Sequence, residues 1–176
     1  MQTTEKQAAL MAKAERMRQA VEDVQRQFDA CPMQEKEYGI ATQELYLPMS
    51  DGVKLYTLLY RPEGLPQIPV LVQRSCYPDQ MDLYRVYGQE LARRGYGYLV
   101  QICRGTGPSQ GVWEPNVHER QDGYDTLQWL DAQREHRLFW GKLSGFDWLG
   151  CGGYSPAQGQ RDDADRLWHR PVHLGL

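Results

Sequence analysis

The sequence predicts an α/β protein in which a β-hairpin leads into alternating strands and helices, with an amphipathic helix in front. Three observations predict it. Leu10, Ala14, Met17, Val21, Val24 and Phe28 recur at steps of three and four, which puts them on one helical face. Ser50-Asp51-Gly52 sits between two alternating runs, as a hairpin turn does when glycine supplies positive φ. Two short apolar runs, Pro69-Val70-Leu71-Val72 and Tyr98 to Cys103, are separated by a helical stretch. Strands buried on both faces of a parallel sheet read this way.

The elements follow in order. Residues 4–29 form one helix, with Thr4 as N-cap and Cys31-Pro32 ending it, because the residue before proline avoids the helical region. Residues 33–40 connect. A strand over 42–47 stops at Pro48, and 53–61 returns. Proline and glycine at 62, 64 and 66 mark a loop. A strand at 69–74 precedes a helix from Asp82 to Arg94, capped by Gly95. The strand at 98–103 is the neighbour of 69–74, with the 82–94 helix across one face. A glycine-rich loop runs from Arg104 to Gly111, a helix from Glu119 to Gln133, and a last strand near Lys142 to Phe146. The chain divides into 1–36, the helix and connector, and 37–176, the α/β unit.

Composition narrows the function. The 176 residues carry 20 Lys+Arg and 23 Asp+Glu, a net charge of -3, so a nucleic-acid partner held by phosphate contacts is not expected. No apolar run reaches the length of a membrane helix and no secretory leader is visible, so a cytoplasmic protein with no membrane partner is expected. Cys31, Cys76, Cys103 and Cys151 form no CxxC pair. His118, His136, His169 and His173 form no HExxH or HxH pattern, and the glycine-rich loop lacks both the P-loop and the dinucleotide spacing. Neither a metal nor another cofactor is therefore expected. The 4–29 helix either packs along its own domain or docks on a protein partner or a second copy.

Gly107-Pro108-Ser109-Gln110-Gly111 spells the nucleophile elbow G-x-S-x-G. An elbow needs a strand before it and a helix immediately after, and Val112 to Asn116 is loop sequence, so Ser109 is expected to bond local backbone.

Four stretches in order carry a family resemblance. They are Met49 to Leu55 with Tyr60 to Gly64; Pro69 to Val72 with Arg74 to Tyr77; Gly95-Tyr96 with Arg104-Gly105-Thr106-Gly107-Pro108-Ser109-Gln110-Gly111-Val112-Trp113; and Glu119 with Asp122 to Leu130. Over roughly 42–133 the chain resembles the N-terminal part of the X-Pro dipeptidyl-peptidase and cocaine-esterase (CocE/NonD-type) family of α/β-hydrolases. The resemblance implies an incomplete α/β-hydrolase fold, namely the N-terminal hairpin plus part of the parallel sheet. It also implies a serine peptidase or esterase acting on X-Pro amides or esters, with a small molecule or peptide as substrate.

In that family a tyrosine matched by Tyr77 donates to the oxyanion. Asp147, in Gly145-Phe146-Asp147-Trp148-Leu149-Gly150, stands where the resemblance puts the nucleophilic serine. Ser155 lies several residues late and is followed by Pro156, which has no N–H for the oxyanion hole. Cys103 stands where the family has aspartate. The resemblance puts the triad's acid and histidine downstream of Leu176, which implies a truncated chain, and His169 and His173 are read as solvated tail. The chain alone is therefore expected not to hydrolyse esters or X-Pro amides. With the last strand's outer edge unpaired, it is also expected to be prone to aggregate.

Overall fold

Strand pairing starts at the hairpin. β1 (Ile40–Pro48) and β2 (Lys54–Pro62) are antiparallel, in register from Ile40 opposite Pro62 to Pro48 opposite Lys54. The turn closes through Gly52 N–H to the Met49 carbonyl at 2.9 Å, with Gly52 at φ 86°. A computed structural model describes residues 2–31, 36–133 and 136–138 of the chain. The remaining elements are α1 (Gln2–Ala30), β3 (Ile68–Ser75), a 3₁₀ turn (Pro78–Gln80), α2 (Met81–Arg93), β4 (Gly97–Ile102), α3 (Glu119–Ala132) and β5 (His136–Leu138).

The five strands form one mixed sheet in the order β1-β2-β4-β3-β5. β4 is antiparallel to β2 and parallel to β3, so the two apolar strands are neighbours as expected. β5 runs parallel along the other side of β3 and was not anticipated, because three residues carry no apolar run. The strand expected near Lys142 to Phe146 lies outside the described residues.

Period-two alternation gives each side of the sheet its own core. Leu58, Tyr60, Tyr98, Val100 and Ile102 pack with Tyr84 and Ala92 of α2. Leu59, Val70 and Leu99 pack on the other face with Leu130 of α3. Helices on both faces are what strands without a polar side require. At Gly88 of α2 a Cβ would stand 2.3 Å from the Tyr60 ring, so the helix lies directly on the sheet. Gly95, at φ 87°, ends α2 by donating to the Ala92 carbonyl at 3.0 Å.

The helix expected over 4–29 is present and starts earlier, at Gln2, so Thr4 lies inside it rather than capping it. It packs within its own chain. The Arg94 guanidinium donates to the Phe28 carbonyl at 2.8 Å and lies over the Phe28 ring, closing the helix C-terminus with a cation. Phe28 meets Tyr87 edge-on, and Gln25 donates to Glu90 at 3.2 Å. At the other end Lys13 pairs with Asp79 at 2.5 Å. α1 thus runs parallel to α2, with the two C-termini side by side. Val24 is buried and Met17, Val21 and Phe28 half-buried, while Leu10 and Met11 are 68% and 76% exposed on the part that extends past Asp79. No helix among the described residues is long and apolar enough to cross a membrane.

Gly88→Ala is expected to destabilise the chain by about 2 kcal/mol, since it forces a methyl into a filled contact. Urea unfolding of both chains measures it.

Candidate active-site edge

Ligand sites of open α/β sheets form outside the carboxyl ends of the strands. Here β3 and β4 end side by side, with Ser75 opposite Ile102, and Cys103 N–H donates to the Ser75 carbonyl at 2.8 Å. Three pieces of chain build the edge.

The first is the loop after β3. Tyr77 is 41% exposed. Its backbone is held from both sides: its N–H donates to Ser75 Oγ at 3.1 Å, and its carbonyl accepts from Gln80 N–H at 3.1 Å. Ser75 Oγ lies 2.6 Å from the Tyr84 hydroxyl, which donates to Gln80 Oε1 at 2.9 Å. Donor counting gives the direction: Ser75 donates to Tyr84, and Tyr84 to Gln80. Burial pushes the Tyr84 phenol up to about 12.

The second is the glycine-rich loop. Gly105, at φ 68°, has no room for a side chain, since a Cβ would stand 2.0 Å from the Trp113 nitrogen. At Gly107 a Cβ would stand 2.6 Å from Pro78, so this loop rests on the Tyr77 loop. The Ser109 hydroxyl donates to the Ile102 carbonyl at 2.6 Å and accepts from Tyr56 N–H at 2.9 Å. Its hydrogen is committed, and the next helix begins only at Glu119. Ser109 is a local backbone anchor, as expected.

The third is a buried ionic cluster that sequence reasoning missed. Asp122, fully buried on α3, takes a forked contact from Arg104: Nη2 to Oδ1 at 2.7 Å and Nε to Oδ2 at 3.2 Å. Arg104 also pairs with Asp51 of the hairpin turn at 2.6 Å. Asp122 and then Asp51 hold the guanidinium charged and raise its pKa, and the Arg104 contact first, then Val53 N–H, lowers that of Asp51. Arg74 of β3 reaches Glu119 at 2.7 Å and Gln101 at 2.8 Å. Thr126 bonds Gln101 at 2.9 Å, and Cys103 Sγ lies 3.5 Å from Glu119 Oε2. The charged letters were visible in the motifs; nothing in them said which would be buried.

Asp147, Ser155, Pro156, His169 and His173 lie outside the described residues, and Tyr77 lies in the loop on this edge. His118 pairs with Glu114 at 3.0 Å at the surface. Among the described residues no three His, Cys, Asp or Glu side chains are grouped to hold a metal ion. A shallow depression lined by Tyr38, Leu65, Pro69, Arg94, Gly95 and Tyr96 lies at the opposite end of β3 and β4.

A hairpin feeding a helix-covered mixed sheet, with an edge of this kind, is the N-terminal part of an α/β-hydrolase fold. The family model of the X-Pro dipeptidyl-peptidases (S15 family) matches residues 51–149, and the chain belongs to that hydrolase family. Cocaine esterase from Rhodococcus sp. (strain MB1 Bresler) is 36% identical over 106 residues, covering 57% of this chain. The chain spans 18% of that protein's length. Among solved structures, an alpha-amino acid ester hydrolase is 24% identical, with a TM-score of 0.46, over 62% of this chain and 22% of its own. A CocE/NonD family hydrolase from Staphylococcus aureus is 18% identical, with a TM-score of 0.48, over 64% of this chain and 28% of its own.

Asp122→Ala leaves the Arg104 guanidinium short of its main partner in a buried setting and is expected to cost about 3–5 kcal/mol. The variant's urea midpoint against that of the unsubstituted chain measures this. Because the Tyr84 pKa is raised on folding, its contribution is fully present below pH ~10, the ordinary tyrosine value, and is lost as pH rises toward 12. Tyr84→Phe is expected to flatten the fall in melting temperature over that interval.

Proposed function

We propose that this chain carries the oxyanion arm of a serine acyl-transfer site for X-Pro amides or esters, and that it lacks the nucleophile. Tyr77 carries the reading. It stands at the carboxyl end of β3 with an exposed side chain, on backbone tied at its N–H and its carbonyl. A phenol held there donates to a forming oxyanion, a contribution on the order of 3 kcal/mol in a dry site. An ester hydrolase and a peptidase share that need, because both reactions pass through a tetrahedral intermediate with a negative oxygen.

The nucleophile is another matter. Asp147 occupies the serine's place in the family pattern, and a carboxylate there repels an oxyanion instead of generating one. Ser155 is followed by Pro156, which offers no N–H. Ser109 has given its hydrogen to the Ile102 carbonyl, and Ser75 donates to Tyr84. Loss of the nucleophile in a serine protease costs about 10⁶ in rate. A cytoplasmic setting accords with the thiol form of Cys31, Cys76 and Cys103.

A second reading rests on Leu10 and Met11, exposed on the overhanging part of α1: a non-catalytic protein that meets a protein partner, or a second copy, through that helix. Self-association that depends on concentration is what this reading adds.

The test is a fluorophosphonate probe and an activated aryl ester applied to the full chain, with circular dichroism to establish folding. No labelling and no turnover above buffer are expected. Stoichiometric labelling abolished by Ser155→Ala or Ser109→Ala overturns the reading and identifies the nucleophile.

A further inference from the structure

The parallel neighbours β3 and β4 each run directly into a cysteine. Ser75 is opposite Ile102 in the last pair of the ladder, whose final rung is the Cys103 N–H bond to the Ser75 carbonyl, and the next residues along the two chains are Cys76 and Cys103. Neighbouring strands lie ~4.8 Å apart, inside the roughly 4.4–6.8 Å Cα separation that a disulfide spans. Cys103 Sγ faces Glu119 on the α3 side, and Arg74, two residues before Cys76, reaches the same carboxylate. Position 76 has the parity of Arg74 and lies one residue past the end of β3. The Tyr84 phenol supplies a second observation. Burial raises its pKa first, and charge on Asp79, then on Cys76 and Cys103, raises it further. Both residues are in the thiol form; Cys76 is half-buried and Cys103 fully buried.

We propose that Cys76 and Cys103 are a site of reversible oxidation, forming a disulfide across the carboxyl ends of β3 and β4 immediately before Tyr77. The bond draws Cys103 away from Glu119 and fixes the exit of the Tyr77 loop. The oxidant is a low-molecular-weight disulfide such as oxidised glutathione. The more accessible Cys76 thiolate attacks one of its sulfurs, the S–S bond breaks and one glutathione thiolate leaves. Cys103 passes its proton to the Glu119 carboxylate and attacks the Cys76 sulfur, and the second glutathione leaves. Two thiols of the protein are oxidised and one glutathione disulfide is reduced; the Cys76 proton, released to water as its thiolate forms, and the Cys103 proton, passed on from Glu119, return to the two glutathione thiolates. The chemistry does not depend on whether the chain hydrolyses anything.

The test treats the folded full-length chain with oxidised glutathione, quenches it in denaturant with iodoacetamide and maps tryptic peptides without reduction. A bridged pair of peptides, Ser75–Arg85 with Gly95–Arg104, is expected, with loss of alkylation at both cysteines together and its return on treatment with dithiothreitol. Cys103→Ser is expected to trap one glutathione on Cys76, and Cys76→Ser to leave Cys103 unmodified. Stable glutathione on Cys76 while Cys103 is still alkylated overturns the proposal. So does a bridge from Cys76 to Cys31 or Cys151, or no change at either thiol. The peptide map of the unsubstituted chain decides the matter even where a variant fails to fold.

Discussion

Everything at the carboxyl edge of the sheet hangs on one carboxylate, that of Asp122. It is fully buried, and a charge removed from water costs several kcal/mol unless it is paired and hydrogen-bonded. Arg104 answers it with a fork, and Arg74 stands on its other side at 3.5 Å. Through these groups four segments distant in sequence become one object: the hairpin turn by way of Asp51, β3 by way of Arg74, the exit of β4 by way of Arg104, and the start of α3. The cluster has little value half-made. An isolated buried guanidinium or carboxylate is worse than none, so the edge assembles as a unit, and the loops above it inherit their positions from it.

Those positions account for the family pattern residue by residue. Asp51 closes the hairpin turn onto Arg104, Gly107 lets the glycine-rich loop meet Pro78, and Ser109 ties β2 to the end of β4. Each of these letters belongs to a motif that a reader would associate with hydrolysis, and each has a structural duty here. Tyr77 differs from them in its exposure. Its side chain is exposed, and the bonds around it hold its backbone.

The sheet was legible because its signals are local. Asp51-Gly52 announces a turn, and two apolar runs with a helix between them imply parallel neighbours. β5 was not, since three residues of mixed character carry no period. The stripe on α1 was read correctly as a face but not as a contact: α2, 13 residues long, covers only the part from about Met17 to Phe28, and Leu10 is left outside. At the edge, the place of Tyr77 just past the end of β3 was reachable through its motif. The relay from Ser75 through Tyr84 to Gln80 was not, because three ordinary polar residues on a strand and a helix carry no joint pattern until the fold sets them at 2.6 and 2.9 Å. The ionic cluster failed for a related reason: charged letters read as surface, and only the order of strands reveals which of them are enclosed.

Gly105 bears on how such sequences should be compared. With 2.0 Å between a would-be Cβ and the Trp113 nitrogen, no other amino acid fits without unseating the loop. Selection for a chain that merely folds would preserve this glycine as firmly as selection for a working enzyme. A retired hydrolase would go on displaying the glycine-rich signature of its active ancestors for as long as its sheet edge had to hold. Retention of that signature among descendants is evidence of inherited architecture and counts for nothing as evidence of turnover.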